Sequence, residues 1–493
     1  MLSLPRPLLI WGALHLLLWS LIPALSTTCL PLDTVEAIMW GNAWEWGYDK
    51  HPPLSAWVAK FFFEIGRDLG LYFLSALCVV IAGFGIYRIA RLHHLSPARA
   101  TMAVLVLELI YYYQYISIEF NVNILQLPFW AWGWYCGIRA ARPHDRTQWL
   151  HWLGLGLCIG LGALTKYLAV WLLIPLFAYW LRRGQLIQVL KSPGLYLAAL
   201  TSALLFLPHL LWMHEHEYMT LTYGMKRADG ESASFLTRHL WYPVEYILSQ
   251  GGILIPALIV FFCGRSTEQS SDDDTKGLDG LAWGGLLFLG ALSLLFGIRP
   301  VTMWASPMPL ALGLWGVSAF RIPEQSKSAQ RSALIMGSLG LLAIIIVYGL
   351  APFYKGKPEK LNYPGQTLAS LAEQAWYNQT NHAPLQYVIG KEWEGAIVAT
   401  YAKERPKLMI RANLERSPYL TDELVQQHGA LIIWEKSRKA HDGRNPGLAK
   451  RYPDLQKRFP HIKVLDDLII DWPHWKDGLQ GRFGLALIPP HQN

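Results

Sequence analysis

Residues Leu71–Tyr87 read LYFLSALCVVIAGFGIY, seventeen positions without a formal charge. A run of this kind approaches the ~20 apolar residues that cross a bilayer as a helix. The pattern returns at Leu195–Met213, Leu281–Ile298 and Ala333–Leu350, so the chain reads as a polytopic membrane protein. Composition agrees: 53% of the 493 residues are hydrophobic and 16% charged, against roughly 25% charged in a soluble domain. An ordinary soluble enzyme is thereby excluded. The 43 Lys and Arg exceed the 35 Asp and Glu, giving +8. Much of that surplus falls in short loops, where it orients helices rather than binding nucleic acid.

Outward from that run, eleven spans are expected, near 7–26, 70–88, 101–118, 124–139, 149–164, 167–181, 195–213, 246–264, 280–298, 303–320 and 332–351. Met1–Leu25 reads as a retained first span, because its leading segment carries only Arg6 and Ser26-Thr27-Thr28-Cys29 makes a poor cleavage site. With the N-terminus in the cytoplasm, the inside loops collect Arg88, Arg91 and Arg99, then Arg139, Arg142 and Arg146, and later Arg182 and Arg183. An odd number of spans then places everything after about residue 352 outside. The acidic run Asp272–Asp274 reads as a solvated inside turn.

The expected domains are 1–352 in the membrane and 353–493 outside it. In the latter, helical patterns at Gln366–Tyr377, Gly395–Lys403, Asp422–His428 and Leu448–Phe459 alternate with short apolar runs at Tyr387–Gly390, Leu408–Ile410, Ala430–Trp434, Ile462–Ile470 and Phe483–Ile488. Such alternation predicts a small soluble α/β domain. The five cysteines (Cys29, Cys78, Cys136, Cys158, Cys263) show neither a disulfide framework nor zinc spacing.

Two outer loops are long, about 27–69 and 214–245. In the first, Val35, Ile38, Met39, Ala43 and Trp46 recur at helical spacing, predicting an amphipathic helix in the membrane interface; Pro52-Pro53 stops it and a second such stretch, Leu54–Ile65, follows. Inside the spans the exceptional ionisable group is Glu108, read as a carboxyl paired with a neighbouring helix.

Polar residues gather instead at outer helix ends. Asp33 and Glu36 suit a general base for a hydroxyl nucleophile at the membrane surface; the same spacing suits a helix N-cap with its capping-box partner. Lys50 and His51, fixed before Pro52-Pro53, suit stabilisation of a departing phosphate, or a lysine snorkelling to headgroups. Glu119, Asn121 and Asn123 fill a short outer hairpin, able to bond sugar hydroxyls, support the base or simply form the turn. Lys166 and Tyr167, His209, and Arg299 with Trp304 complete the candidates, the two cations facing where a lipid phosphate would lie.

Together, the run Asp33–Trp40, the segment Gly47-Tyr48-Asp49-Lys50-His51-Pro52-Pro53-Leu54 and the echoes Glu119–Asn123, Leu164–Tyr167 and Pro208-His209 resemble family 39 of the GT-C superfamily. This is the dolichyl-phosphate-mannose protein mannosyltransferase type, whose bacterial members include transferases acting on lipid A and lipopolysaccharide core. The resemblance covers roughly residues 1–350. It implies a polyprenyl-phosphate sugar as donor, an extracytoplasmic acceptor such as a glycolipid, and inversion by single displacement in a bacterial inner membrane, with the tail periplasmic. Asp33 or Glu36 would be the base, and a cation near Pro52-Pro53 would hold the donor phosphate. Many relatives carry Asp-Glu where this chain has Val35-Glu36, Asp near Asn123, and Lys directly before the prolines where this chain has His51. No nucleotide is needed. A divalent cation, Mg or Mn, would bridge outer carboxylates to phosphate, though no ligand spacing demands one. The alternatives are a flippase for a lipid-linked saccharide and a non-catalytic envelope assembly protein.

Overall fold

The computed structural model describes residues 4–142, 146–228, 233–266, 275–350, 362–437, 447–472 and 480–491. The expected domain boundary at 352/353 and the run Asp272–Asp274 lie outside the described residues. Up to residue 350 the α-helices are α1 (Arg6–Ser26), α2 (Leu32–Ala43), α3 (Leu54–Leu92), α4 (Pro97–Leu105), α5 (Val122–Ala140), α6 (Gln148–Thr165), α7 (Leu173–Arg182), α8 (Leu186–Leu190), α9 (Pro193–Glu215), α10 (Met219–Ala228), α11 (Tyr242–Gly264), α12 (Leu278–Phe296), α13 (Leu312–Ala319) and α14 (Lys327–Ile344).

Each of the eleven expected spans falls on helical backbone. Among the described residues six segments are long and apolar enough to cross a bilayer alone: Arg6–Ser26, Leu54–Leu92, Pro193–Glu215, Thr237–Gly264, Leu278–Phe296 and Lys327–Val347. Pro97–Leu109 and Tyr111–Ile118 make a seventh as a pair bent by 84°. The chain is a multi-pass membrane protein. The bend is held by Tyr112 and Tyr113, whose buried hydroxyls donate to the carbonyls of Thr302 and Ser306. Glu108 accepts from Trp11 Nε1 at 2.7 Å and pairs with His15 Nδ1 at 2.6 Å, both on α1, which is the pairing expected for it.

The second amphipathic stretch and the following span form one helix, α3, broken at Arg67 (φ 52°, ψ −138°). The first, α2, forms as expected, but protein rather than lipid covers it. Apolar residues point in several directions around it, and Val35, Ile38 and Met39 are fully buried. One side packs on α3 and the other on the helix Glu394–Tyr401 of the soluble domain. Asn42 donates to the Ala399 carbonyl at 2.9 Å, and Thr400 to that of Val35 at 3.4 Å.

The soluble domain is built on β1 (Tyr387–Gly390), β2 (Lys407–Ile410), β3 (Ala430–Ser437), β4 (Lys463–Val464), β5 (Leu468–Asp471) and β6 (Gln480–Ile488). The order is β2-β1-β3-β6-β4, with β5 also on β6; β2, β1 and β3 run parallel and β6 antiparallel to β3. The α/β expectation holds, except that Ile462–Ile470 supplies two short strands and Leu448–Phe459 two single turns. Alternation along the strands gives the sheet two covered faces. Val388, Leu408 and Leu431 join the core continuous with the membrane helices, while Ile389, Met409 and Ile432 pack with Val425 and Leu455.

Candidate functional site

Helix α2 starts after Pro31 with no side-chain cap of its own. Its first-turn amides need acceptors from elsewhere, and Glu119 provides one: Oε1 accepts the Asp33 N–H at 2.9 Å. Thr34 donates to the Phe120 carbonyl at 3.0 Å. The second outer hairpin is therefore docked on the amino end of α2. The capping-box alternative for Asp33 and Glu36 is replaced by a cap from Glu119, which leaves both carboxylates for other work.

Glu36 lies one turn along, 4% exposed, with Lys50 Nζ 2.7 Å from its Oε1. Burial pushes its carboxyl up to about 7, against the pull of Lys50. His51, densely surrounded by protein, edges onto Trp40 and Tyr223 with ring centroids 5.9 and 6.2 Å away. Burial, then the fields of Lys166, Lys50 and Arg227, hold its imidazole down to about 3. His51 is thus neutral at physiological pH and does not supply the positive charge considered for it.

What surrounds His51 is cationic. Lys166, in the outer junction after α6, donates to Asn123 Oδ1 at 2.5 Å and lies 5.9 Å from the Trp304 ring. It makes no ion pair among the described residues. Burial, followed by repulsion from Arg227, draws its ammonium down to about 7, while Asp33 opposes the shift. Lys50, Lys166 and Arg227 thus converge beside Asp33, an arrangement that would attract a phosphate. Arg227 ends α10 in the second long outer loop; the Lys226-Arg227 pair in the last turn of an amphipathic helix was its only signal in the sequence.

Three other candidates hold structure together. Asn121 caps α5, its side chain accepting from the Asn123 N–H at 2.8 Å. His209, fully buried, contacts the Trp46 carbonyl through Nδ1 at 2.6 Å and Tyr167 Oη through Nε2 at 2.8 Å. A carbonyl only accepts, so Nδ1 carries the proton and Tyr167 donates to Nε2. Tyr167 also meets Thr220 at 2.5 Å. His209 and Tyr167 therefore tie the first loop to the second long one rather than facing a ligand. Gly47 permits this close approach, since a Cβ there would run into the Trp212 ring. Arg299 stands apart, exposed and paired with Glu245 at 3.1 Å.

The soluble domain closes over the cluster through a chain of ion pairs. Arg416 meets Asp49 at 2.6 Å and Glu392 at 2.8 Å, and Arg411 meets Glu392 at 2.8 Å. Between this chain and α10 lies a cavity of about 900 Å³, bordered by Asp49, Lys50, Tyr223 and Lys226. Among the described residues no three His, Cys, Asp or Glu side chains converge as metal ligands, so they form no ready cage for Mg or Mn.

Residues 50–212 match the family model described as dolichyl-phosphate-mannose-protein mannosyltransferase. A relative in Pseudomonas fluorescens, the undecaprenyl phosphate-α-4-amino-4-deoxy-L-arabinose arabinosyl transferase 1, is 27% identical over 230 residues. That alignment spans 44% of this chain and 40% of the relative's length. The crystal structure of ArnT from Cupriavidus metallidurans bound to undecaprenyl phosphate superposes with a TM-score of 0.61 at 13% identity, covering 97% of both chains. The same protein in its apo state gives 0.60 at 12% identity, over 98% of this chain and 99% of that one. The family resemblance read from the first loop and the GT-C fold it implied are borne out along the whole chain.

Proposed function

We propose that this multi-pass protein of the GT-C fold is a glycosyltransferase that moves a sugar from a polyprenyl phosphate to an acceptor at the outer face of a bacterial inner membrane. An envelope glycolipid such as lipid A is the acceptor, and the C-terminal domain is periplasmic. The observation that carries this reading is the pairing of Asp33 with the cations around His51 at the outer ends of the spans.

The acceptor hydroxyl attacks the anomeric carbon, its proton passes to Asp33, and the bond from that carbon to the phosphate oxygen breaks. Polyprenyl phosphate departs with inversion. Asp33 serves as the base because Glu36 is committed to Lys50. Lys166 and Arg227 face the departing phosphate, where fixed cations act on charge as it develops. Lys50, steered by Glu36, lines the cavity beside them.

The test is mass spectrometry of envelope glycolipids from cells lacking the gene, complemented with the wild-type chain or with Asp33→Asn. A sugar present with wild type and missing with Asp33→Asn supports the reading. Glycolipids unchanged by loss of the gene would move the acceptor to protein, and full activity of Asp33→Asn would remove the base.

A further inference from the structure

In the soluble domain β1 lies between β2 and β3, all parallel. The chain leaves β1 through the helix Glu394–Tyr401 towards β2, then returns past β1 to reach β3. At such a reversal, connections depart to opposite faces and open a crevice at the carboxyl ends of the strands. Here the crevice is a cavity of about 340 Å³, walled by Lys391 and Glu394 after β1, Arg411 after β2, Glu435 in β3, and Arg451. That volume is in the range of small-molecule sites.

The turn into the crevice is tightly built. A Cβ on Gly390 would lie 2.8 Å from the Gly395 Cα, and one on Gly395 would lie 3.0 Å from the Gly390 Cα. Glu394, opening the helix between them, keeps its side chain 3% exposed. Its Oε1 and the Nε of Arg451 are buried without hydrogen-bond partners, and the two side chains come no nearer than 3.9 Å. Buried polar atoms left in this way favour any ligand that satisfies them. Glu36 and Lys50 complete the wall from the membrane side. Lys50 and Arg411 also border the larger cavity, so the two spaces share a wall. Acids and bases alternate around the crevice, which suits sugar hydroxyls, each both donor and acceptor, better than a bare anion or an acyl chain.

We propose that this strand-end crevice is a subsite for the saccharide headgroup of the acceptor glycolipid, held on Glu394, Lys391 and Arg451 while its reacting hydroxyl reaches the first-loop carboxylates. The proposal rests on the glycosyltransferase reading above.

The experiment measures binding of two probes, lipid A and undecaprenyl phosphate, to the full chain in detergent. Wild type is compared with Glu394→Gln and with Lys391→Ala, the latter at a partly exposed position whose loss spares the fold. The expected result is about tenfold weaker lipid A binding in either variant, the loss of one charged hydrogen bond, with undecaprenyl phosphate unchanged within twofold. Lipid A affinity within twofold of wild type in both variants overturns the proposal, as does loss of both probes together in both variants. Wild type that binds undecaprenyl phosphate but not lipid A overturns the subsite and leaves the transferase reading standing; wild type that binds neither overturns both.

Discussion

Glu119 accepts the backbone N–H of Asp33 at 2.9 Å, joining the first two outer loops across 86 residues of chain. The contact fixes where the α2 helix begins, and with it the direction in which the Asp33 carboxylate points. A base is effective only when held in reach of the proton it takes.

Glu119→Ala therefore acts on rate more than on donor affinity. Losing the cap costs about 1 kcal/mol of stability. Displacing Asp33 by even 1 Å lowers turnover by about 100-fold. Glu119→Gln keeps an acceptor at the same place and recovers most of the rate. Steady-state transfer by purified protein, with kcat and the donor KM measured separately, checks this; a change in KM alone would refute it.

Lys50 and Glu36 form the second relationship in the cluster, 2.7 Å apart and mostly shielded from water. Removing one member of such a pair strands the other, at about 3–5 kcal/mol. Lys50→Met and Glu36→Gln should each lower the thermal unfolding midpoint in detergent, and the double variant should regain part of the loss. Additive losses would show that the two do not interact.

How far the sequence disclosed this site depends on how local each relationship is. Asp33, Glu36, Lys50 and the prolines lie within one short stretch, so their spacing exposes them. The apolar runs are local too, and every expected span falls on helix. The Glu119 cap and the Asp49–Arg416 pair join residues 86 and 367 positions apart, and no pattern in the chain links them. His209 and Tyr167 look chemically apt for the same reason that they hold loops together: each has a polar tip on an apolar helix. The soluble domain covers α2, so an apolar pattern that reads as lipid-facing is in fact covered by another part of the same chain.

Lys166 gives donor binding a pH dependence of definite sign. Its ammonium is drawn down to about 7, so the free protein loses that charge as pH rises through 7. A bound phosphate restores the ordinary preference for the charged form. Undecaprenyl phosphate should therefore bind about tenfold more weakly at pH 8 than at pH 7 as a limit, one unit of linked protonation. Folding runs the other way: between pH 7 and the ordinary lysine value the unfolded chain holds a proton that the folded chain lacks, so stability contributed by this group rises with pH. Lys166→Arg keeps its charge throughout and flattens the binding profile. Identical slopes for the two proteins would rule Lys166 out as the titrating group.

Arg416 is the soluble domain's grip on the first loop, donating to Asp49 from Nη2 at 2.6 Å and from Nε at 2.9 Å. Asp49 is 7% exposed, and burial raises its carboxyl against the pull of Arg416. Without the guanidinium that carboxylate must be buried unpaired or take up a proton. Arg416→Ala should cost about 3 kcal/mol, and Arg416→Lys should recover only part of it, because one ammonium cannot reproduce the two-pronged contact. The deficit should fall on the join between the domains, so limited proteolysis should cut the chain sooner after 350 in Arg416→Ala, and Asp49→Asn in the same chain should slow that cutting again by removing the stranded charge. Equal cleavage rates in wild type and Arg416→Ala would mean that the apolar packing of α2 against Glu394–Tyr401 holds the domains together without this pair.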